Sequence, residues 1–220
     1  LRVHYLENSR AHRILWLIEE LEIPYEVVTY RRGPDMRAPR ELRQIHPLGK
    51  SPVLEDGGRI IAESGAMIEY LLDVYGAAKG LRPEPGSDAL LDYRYWLHAA
   101  EGTAMPMITM KLIFTMLPAR VPFLVRPLAK LIANGAQAQI TDPQARDQMA
   151  LWEETLARGR WFAGNAFSAA DIAMSFPVEV AIGRFRLGEP GPATAAWLDA
   201  IRSRPSYLRA LERGRYAIAG

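Results

Sequence analysis

The sequence points to a small α/β domain followed by an all-helical domain, on three grounds. Before residue 76, short runs of β-favouring side chains alternate with apolar stretches of helical period. The stretch "GAAKGLRPEPG" (76–86) then gathers three glycines and two prolines, a linker composition. From Asp88 onward helical spacing continues and no convincing strand appears. The predicted boundaries are 1–76 for the α/β domain, 77–87 for the linker and 88–220 for the helical domain.

"RVHYL" (2–6) alternates and carries strand-favouring residues, so it reads as the first strand. Ile14, Leu17, Ile18 and Leu21 repeat at i, i+3, i+4 and i+7, which is one face of a helix. Pro24 ends that helix and "YEVVTY" (25–30) is the second strand. A β-α-β opening of this length favours a parallel pair joined by a right-handed crossover. A polar helix is predicted over about 38–45, then a strand in "KSPVLED" (50–56), a tight turn at Asp56-Gly57-Gly58 and a return strand in "RIIA" (59–62). Ser64 precedes Ile68, Leu71, Leu72 and Tyr75 at helical spacing, with Gly76 as the stop. The order β-α-β-α-β-β-α is a thioredoxin-like layout.

In the second domain, Tyr93, Trp96, Leu97 and Ala100 mark a long helix, "PARVPFLVRP" (118–127) breaks the chain, and another helix runs over about 143–158. "FSAADIAMSF" (167–176) holds an S-x-x-D capping box in Ser168 and Asp171, with Phe167 and Ile172 spaced for a hydrophobic staple. This box is read as the start of a buried helix, without a chemical role.

Composition narrows the function. Of 220 residues, 49% are hydrophobic and 24% charged, the balance of a soluble globular protein. No apolar run approaches the length of roughly 20 residues that crosses a bilayer. Charges from Arg2 onward give no signal-peptide pattern. The expectation is a cytoplasmic protein without a membrane partner, and Leu1 in place of methionine predicts residues ahead of it. The absence of cysteine excludes disulfides, thiolate-bound metal and any protein-thiol redox step, so a reacting sulfur must come with the substrate. A net charge of +2 and the lack of a reading motif argue against nucleic acid. The basic stretch "YRRGPDMRAPRELR" (30–43) reads as a solvated face or an anion-attracting rim.

Three pieces of the α/β domain converge on one sheet edge in this layout. Ser9 sits where the first strand meets the first helix. Pro52 opens a strand and has no N–H for a ladder, so a cis Ser51-Pro52 bond would aim the Ser51 backbone at a peptide-like ligand, while a trans edge proline is the plain alternative. Glu63-Ser64, at the mouth of a helix, offers a carboxylate for an ammonium group and a hydroxyl with helix N–H groups for a carboxylate. Each residue also has a plain structural reading, as cap or surface acid.

The segments "VHYLENSRAHRILWLIEELEIPYEVVTY", "HPLGKSPVLEDGGRIIAESGAMIEYLLDVYG" and "FSAADIAMSFP" together resemble the glutathione transferase family from end to end, in particular fungal and bacterial members that share the "NSR" opening. The resemblance implies a thioredoxin-like domain, a helical domain, a homodimer, and glutathione as co-substrate without a metal. Mapped by motif, Ser51 pairs with the cysteinyl part of glutathione, Pro52 is the cis proline, and Glu63 and Ser64 hold the γ-glutamyl end. Lys50 and His46 face the glycyl carboxylate. Ser9, four residues before Arg13, maps to the hydroxyl that activates the thiol in serine-type members, with Asn8 and Tyr5 as alternatives.

For the electrophile, "EGTAMPMITMKLIFTML" (101–117) supplies four methionines and a phenylalanine, either as core filler or as an apolar pocket of Met105, Met110 and Phe114. Trp16 is read as packing. The expected activity is transfer of glutathione to a small hydrophobic electrophile, in the manner of a detoxification enzyme, with peroxide reduction by the same thiolate alongside. The other readings are a non-catalytic glutathione-binding protein of this fold and a glutathione-dependent isomerase.

Overall fold

A computed structural model of the chain describes residues 1–33 and 38–215. Residues 34–37 of the basic stretch and 216–220 of the predicted helical domain lie outside the described residues. The opening unit is β1 (Arg2–Leu6), α1 (His12–Leu21) and β2 (Glu26–Tyr30), with β1 and β2 parallel and Arg2 opposite Glu26. β3 (Val53–Asp56) and β4 (Arg59–Ala62) form a hairpin, and β3 runs antiparallel along the other side of β1, for a sheet order of β2-β1-β3-β4. Gly57 and Gly58 turn the hairpin at φ 54° and φ 82°. Both are left-handed conformations that glycine adopts at no steric cost.

The polar helix predicted over 38–45 is reduced to α2 (Leu42–Ile45). Its approach is made of i→i+3 bonds, Leu42 N–H to Pro39 O and Arg43 N–H to Arg40 O, so the segment enters as a tight turn. α3 (Ser64–Tyr75) stops at Gly76, where φ is an ordinary −94°. The glycine answers a packing demand there, because a Cβ would lie 2.7 Å from the backbone of Leu72.

After α3, α4 (Asp88–Ala99) passes through a π-helical turn at Ala100–Ala104 into α5 (Met105–Arg120). A 3-10 turn at Phe123–Val125 reverses the chain into α6 (Arg126–Ala136), and a second π-helical turn leads into α7 (Asp142–Gly159). α8 (Ala169–Glu179), a π-helical turn at Val180–Arg184, α9 (Pro192–Arg202) and α10 (Pro205–Gly214) follow. Among the described residues from Asp88 onward no strand forms, only an isolated bridge between Trp161 and Gly164.

One core runs through the molecule. The apolar face of α1, with Ile14, Leu15, Leu17 and Ile18 fully buried, joins residues of the sheet and of α8 and α10. Trp16 meets Tyr207 edge to face at 5.0 Å and is packing, as its helical position predicted. The capping box of α8 forms. Its Asp171, fully buried, accepts hydrogen bonds from the Phe162 and Ser168 N–H groups and from Trp197 Nε1, each at 2.9 Å, and from Ser168 Oγ at 3.2 Å. Burial dominates these bonds and pushes the Asp171 carboxyl up to about 6.

Candidate active site

A cleft of about 410 Å³ opens between the carboxyl end of β1, the β3–β4 side of the sheet and helices α5 and α8. The turn from β1 into α1 forms one wall. Asn8 takes φ 51° and is exposed in the cleft. This left-handed value is one that asparagine tolerates. Ser9 is 6% exposed. Its hydroxyl donates to Leu6 O at 2.6 Å and accepts from the Ala11 N–H at 3.2 Å, so it clamps the turn. A serine hydroxyl has a single proton, and here that proton points at a backbone carbonyl.

The Ser51-Pro52 bond is cis. Pairing of β3 with β1 ends at His4 opposite Val53, and the Ser51 side chain takes over the ladder where the backbone turns away. Its Oγ accepts from the Leu6 N–H and donates to His4 O, both at 2.9 Å. Among the described residues, neither the N–H nor the C=O of Ser51 pairs with another backbone group, and the residue lines the cleft.

Glu63 occupies the N-cap position of α3 with φ 69° and ψ 124°. A non-glycine residue held there stores backbone strain of about 1–3 kcal/mol, a cost found where a side chain must be aimed. Its exposed carboxylate lines the cleft, and Ser64, buried beside it, is the first helical residue and not the cap. His46 and Lys50 line the same cleft, and the Leu48 N–H donates to His46 Nδ1 at 3.4 Å.

Behind these residues lies a hub that inspection of the sequence did not identify. Arg13, fully buried, donates to Ala173 O of α8 at 2.7 Å, to Ser64 Oγ at 3.4 Å and to Arg10 O at 3.3 Å. Its guanidinium also pairs with Glu101, whose other carboxylate oxygen pairs with Arg10. One cation therefore ties α1, the start of α3, the π-helical turn and α8 around the cleft floor. The spacing of Ser9 and Arg13 marks Arg13 in the sequence, but nothing in the chain order links it to Glu101.

Two predicted residues of the far wall are corrected. Met105 lines the cleft, but Met110 and Phe114 do not; the face is built by Ile108, Thr109 and Leu112. At about 100° per residue, Met110 and Phe114 are turned about 140° and about 180° away from Met105, whereas 108, 109 and 112 follow it at i+3, i+4 and i+7. That signal was present in the sequence. Phe176, Val180 and Phe185 complete the apolar wall, with Arg32 and Arg184 at its mouth. Burial, and then the Arg184 guanidinium, hold Arg32 below the ordinary arginine range. Tyr5 is also absent from the cleft: its fully buried ring lies against Gly214, where a Cβ would come within 2.9 Å of its hydroxyl oxygen. Among the described residues, no three histidine or carboxylate side chains gather as a metal site requires.

Residues 3–73 match the family model of the glutathione S-transferase N-terminal domain, and residues 104–205 that of the C-terminal domain. The chain is 34% identical to glutathione S-transferase 1 of Saccharomyces cerevisiae over 98% of its own length and 95% of that protein's. A crystal structure of a glutathione S-transferase from Actinobacillus pleuropneumoniae is similar with a TM-score of 0.78 at 31% identity, over 99% of this chain and 94% of that one. The glutathione transferase URE2P8 of Phanerochaete chrysosporium, crystallised with oxidized glutathione, shares the fold at a TM-score of 0.72 and 22% identity, over 97% of this chain and 94% of that one. Both domain models lie in order on a chain whose full length aligns with such relatives, and whose cleft joins a cis proline to an aimed Glu-Ser pair: this protein belongs to the glutathione S-transferase family.

Proposed function

We propose that the cleft binds reduced glutathione, holds its thiol as the thiolate and transfers the sulfur to a small apolar electrophile. The observation that carries this reading is the meeting of three features in one cleft: the cis Ser51-Pro52 bond, the Glu63-Ser64 pair and the Asn8-Ser9 turn. The Ser51 N–H and C=O pair with the cysteinyl backbone. Glu63 meets the γ-glutamyl ammonium, and Ser64 with the first N–H groups of α3 meets its carboxylate. Lys50 and His46 take the glycyl carboxylate.

A free thiol with a pKa of about 8.5 is only a few per cent ionised at neutral pH. Lowering it by about two units takes about 2.7 kcal/mol, which one charge-assisted hydrogen bond of about 1.5–3 kcal/mol and a helix-terminus contribution of about 0.3–1 kcal/mol supply together. With the Ser9 proton on Leu6 O, the Asn8 amide is the donor to sulfur and Ser9 holds the turn that presents it. The thiolate attacks the electrophilic carbon; the new C–S bond takes the sulfur electron pair, and the displaced group leaves with the electrons of the broken bond. Ile108, Leu112, Phe176 and Phe185 offer that electrophile an apolar wall.

The working unit is a homodimer. Val74, Tyr75, Leu91 and Tyr95 of the neighbouring helices α3 and α4 expose apolar surface that a second copy would cover. Calorimetric titration with glutathione tests binding and a chlorodinitrobenzene assay tests transfer. Heat of binding without turnover would favour a glutathione-binding protein that does no chemistry, no uptake would overturn the whole reading, and a monomer in sedimentation would overturn the dimer.

A further inference from the structure

The charges of the cleft lining do not balance once glutathione has been given its partners. The lining holds two carboxylates, Glu63 and Glu101, and four permanent cations, Arg10, Arg32, Lys50 and Arg184. Glu101 is engaged by Arg10 and Arg13. In the binding mode proposed above, Glu63 meets the γ-glutamyl ammonium and Lys50 the glycyl carboxylate. Arg184 and Arg32 remain, at the mouth of the apolar wall.

Arg184 is set there by its helix. Phe176, Val180 and Arg184 recur at intervals of four through the end of α8 and the π-helical turn, so one face carries the apolar wall outward to a guanidinium. Arg184 Cζ lies 5.9 Å from the centroid of the Phe185 ring, a cation–π contact that braces the charged head beside the wall. Among the described residues Arg184 makes no hydrogen bond and no ion pair. Arg32 stands two residues past β2, in the basic stretch that the sequence reads as a solvated face or an anion-attracting rim. The two guanidinium groups are near enough for Arg184 to add to the burial that holds Arg32 below the ordinary arginine range. Two cations from separate elements that meet at one cleft mouth repel each other, and an anion seated between them relieves the repulsion.

We propose that the electrophile taken by this cleft carries a carboxylate, which docks on Arg184 and Arg32 while its apolar body lies on Ile108, Leu112, Phe176 and Phe185. Such docking presupposes the thiolate transfer proposed above and narrows its substrate from any small apolar electrophile to an anionic one. Arginine suits the role, because its planar fork of N–H donors matches a carboxylate and stays charged at every working pH. With 4-chloro-3,5-dinitrobenzoate, the glutathione thiolate attacks the ring carbon that bears chlorine. The new C–S bond takes the sulfur electron pair, the C–Cl bond breaks, chloride leaves with that bonding pair, and the carboxylate is unchanged.

Two measurements test the site. Conjugation rates with 4-chloro-3,5-dinitrobenzoate and with its methyl ester are each divided by the uncatalysed rate with glutathione. Calorimetry of the glutathione-loaded chain with 3,5-dinitrobenzoate, which has no leaving group, reads binding alone. The parent is expected to favour the carboxylate over the ester in kcat/KM, with a preference that fades as salt is raised. Arg184→Ala should lower both that preference and the affinity for 3,5-dinitrobenzoate about ten-fold, the loss of one charge-assisted hydrogen bond. Arg32→Ala should act in the same direction, and Arg184→Lys should recover part of the loss. Arg184 is exposed, so thermal unfolding of its variants should stay unaltered. The inference is overturned if the parent shows no preference for the carboxylate, or if Arg184→Ala slows both substrates alike. It is equally overturned if Arg184→Ala weakens glutathione binding as much as it weakens dinitrobenzoate binding, which would assign the arginine to glutathione. Turnover of neither substrate, nor of chlorodinitrobenzene, would instead strike the transfer reading, and the dinitrobenzoate titration would still decide the anion site.

Discussion

Replacing Asn8 by alanine removes the side chain proposed above as the donor to the glutathione sulfur. Asn8 is exposed at the cleft wall, so solvent weakens its bond to a thiolate toward the lower end of the range for charge-assisted hydrogen bonds, about 1.5 kcal/mol. That loss raises the pKa of bound glutathione by slightly more than one unit, at about 1.36 kcal/mol per unit. The thiolate fraction, and with it the conjugation rate below the shifted pKa, falls about ten-fold. Ultraviolet difference titration of the bound thiol gives the pKa, and the pH profile of chlorodinitrobenzene conjugation gives the rate. Ser9→Ala should instead remove the clamp between Leu6 O and the Ala11 N–H, lowering stability by about 1 kcal/mol with little change in the pKa. A Ser9→Ala protein whose bound thiol titrates a full unit higher, beside an Asn8→Ala protein that titrates like the parent, would refute this division of roles.

In the proposed binding mode Glu63→Gln removes the countercharge of the γ-glutamyl ammonium, and it should weaken glutathione binding about ten-fold or more by calorimetry, leaving the fold intact. Leu112→Ala should raise the KM for an apolar electrophile, whereas Met110→Ala and Phe114→Ala, turned away from the cleft, should leave it unaltered. Arg13→Ala leaves Glu101 to Arg10 alone and strips the buried donor from Ala173 O, and is expected to cost about 1–3 kcal/mol in denaturant unfolding. Two buried groups should pull the pH dependence of stability in opposite directions. Burial, with Arg13 adding to it, drives His12 down to about 3, so its contribution is present above the unfolded value near 6.5 and is lost as pH falls toward 3. The loss amounts to about 3 kcal/mol between pH 7 and 4. Asp171, raised to about 6 from 3.8, contributes the reverse. Its share of the stability falls by about 2 kcal/mol as pH rises from 4 to 7. An Asp171→Asn protein should therefore lose stability more steeply on acidification than the parent, as followed by urea unfolding across that range.

The opening β-α-β unit, the Asp56-Gly57-Gly58 hairpin and the capping box of α8 were legible because each rests on neighbours in the chain: hydrophobic period, turn glycines and an i, i+3 pair. The polar helix over 38–45 was overextended for the same local reason, since periodicity does not separate an α-helix from the i→i+3 turn that enters it. The far wall of the cleft was only half read. Counting methionines selected by residue type, whereas the i, i+3, i+4, i+7 face from Met105 selects by direction, and direction decides what lines a cleft.

The family, the order of the elements and the residues that converge at the sheet edge could all be read from the chain alone, because these follow from local pattern and motif. Which polar atoms are already engaged was settled by folding. Packing turned the Ser9 proton onto Leu6 O, sent the Tyr5 ring into the core against Gly214, and joined Arg13 to Glu101, 88 positions further along the chain. The physical reason is that a hydroxyl or guanidinium takes its role from the partners brought within hydrogen-bonding distance, and those partners are set by how helices and sheet pack, not by their order along the chain.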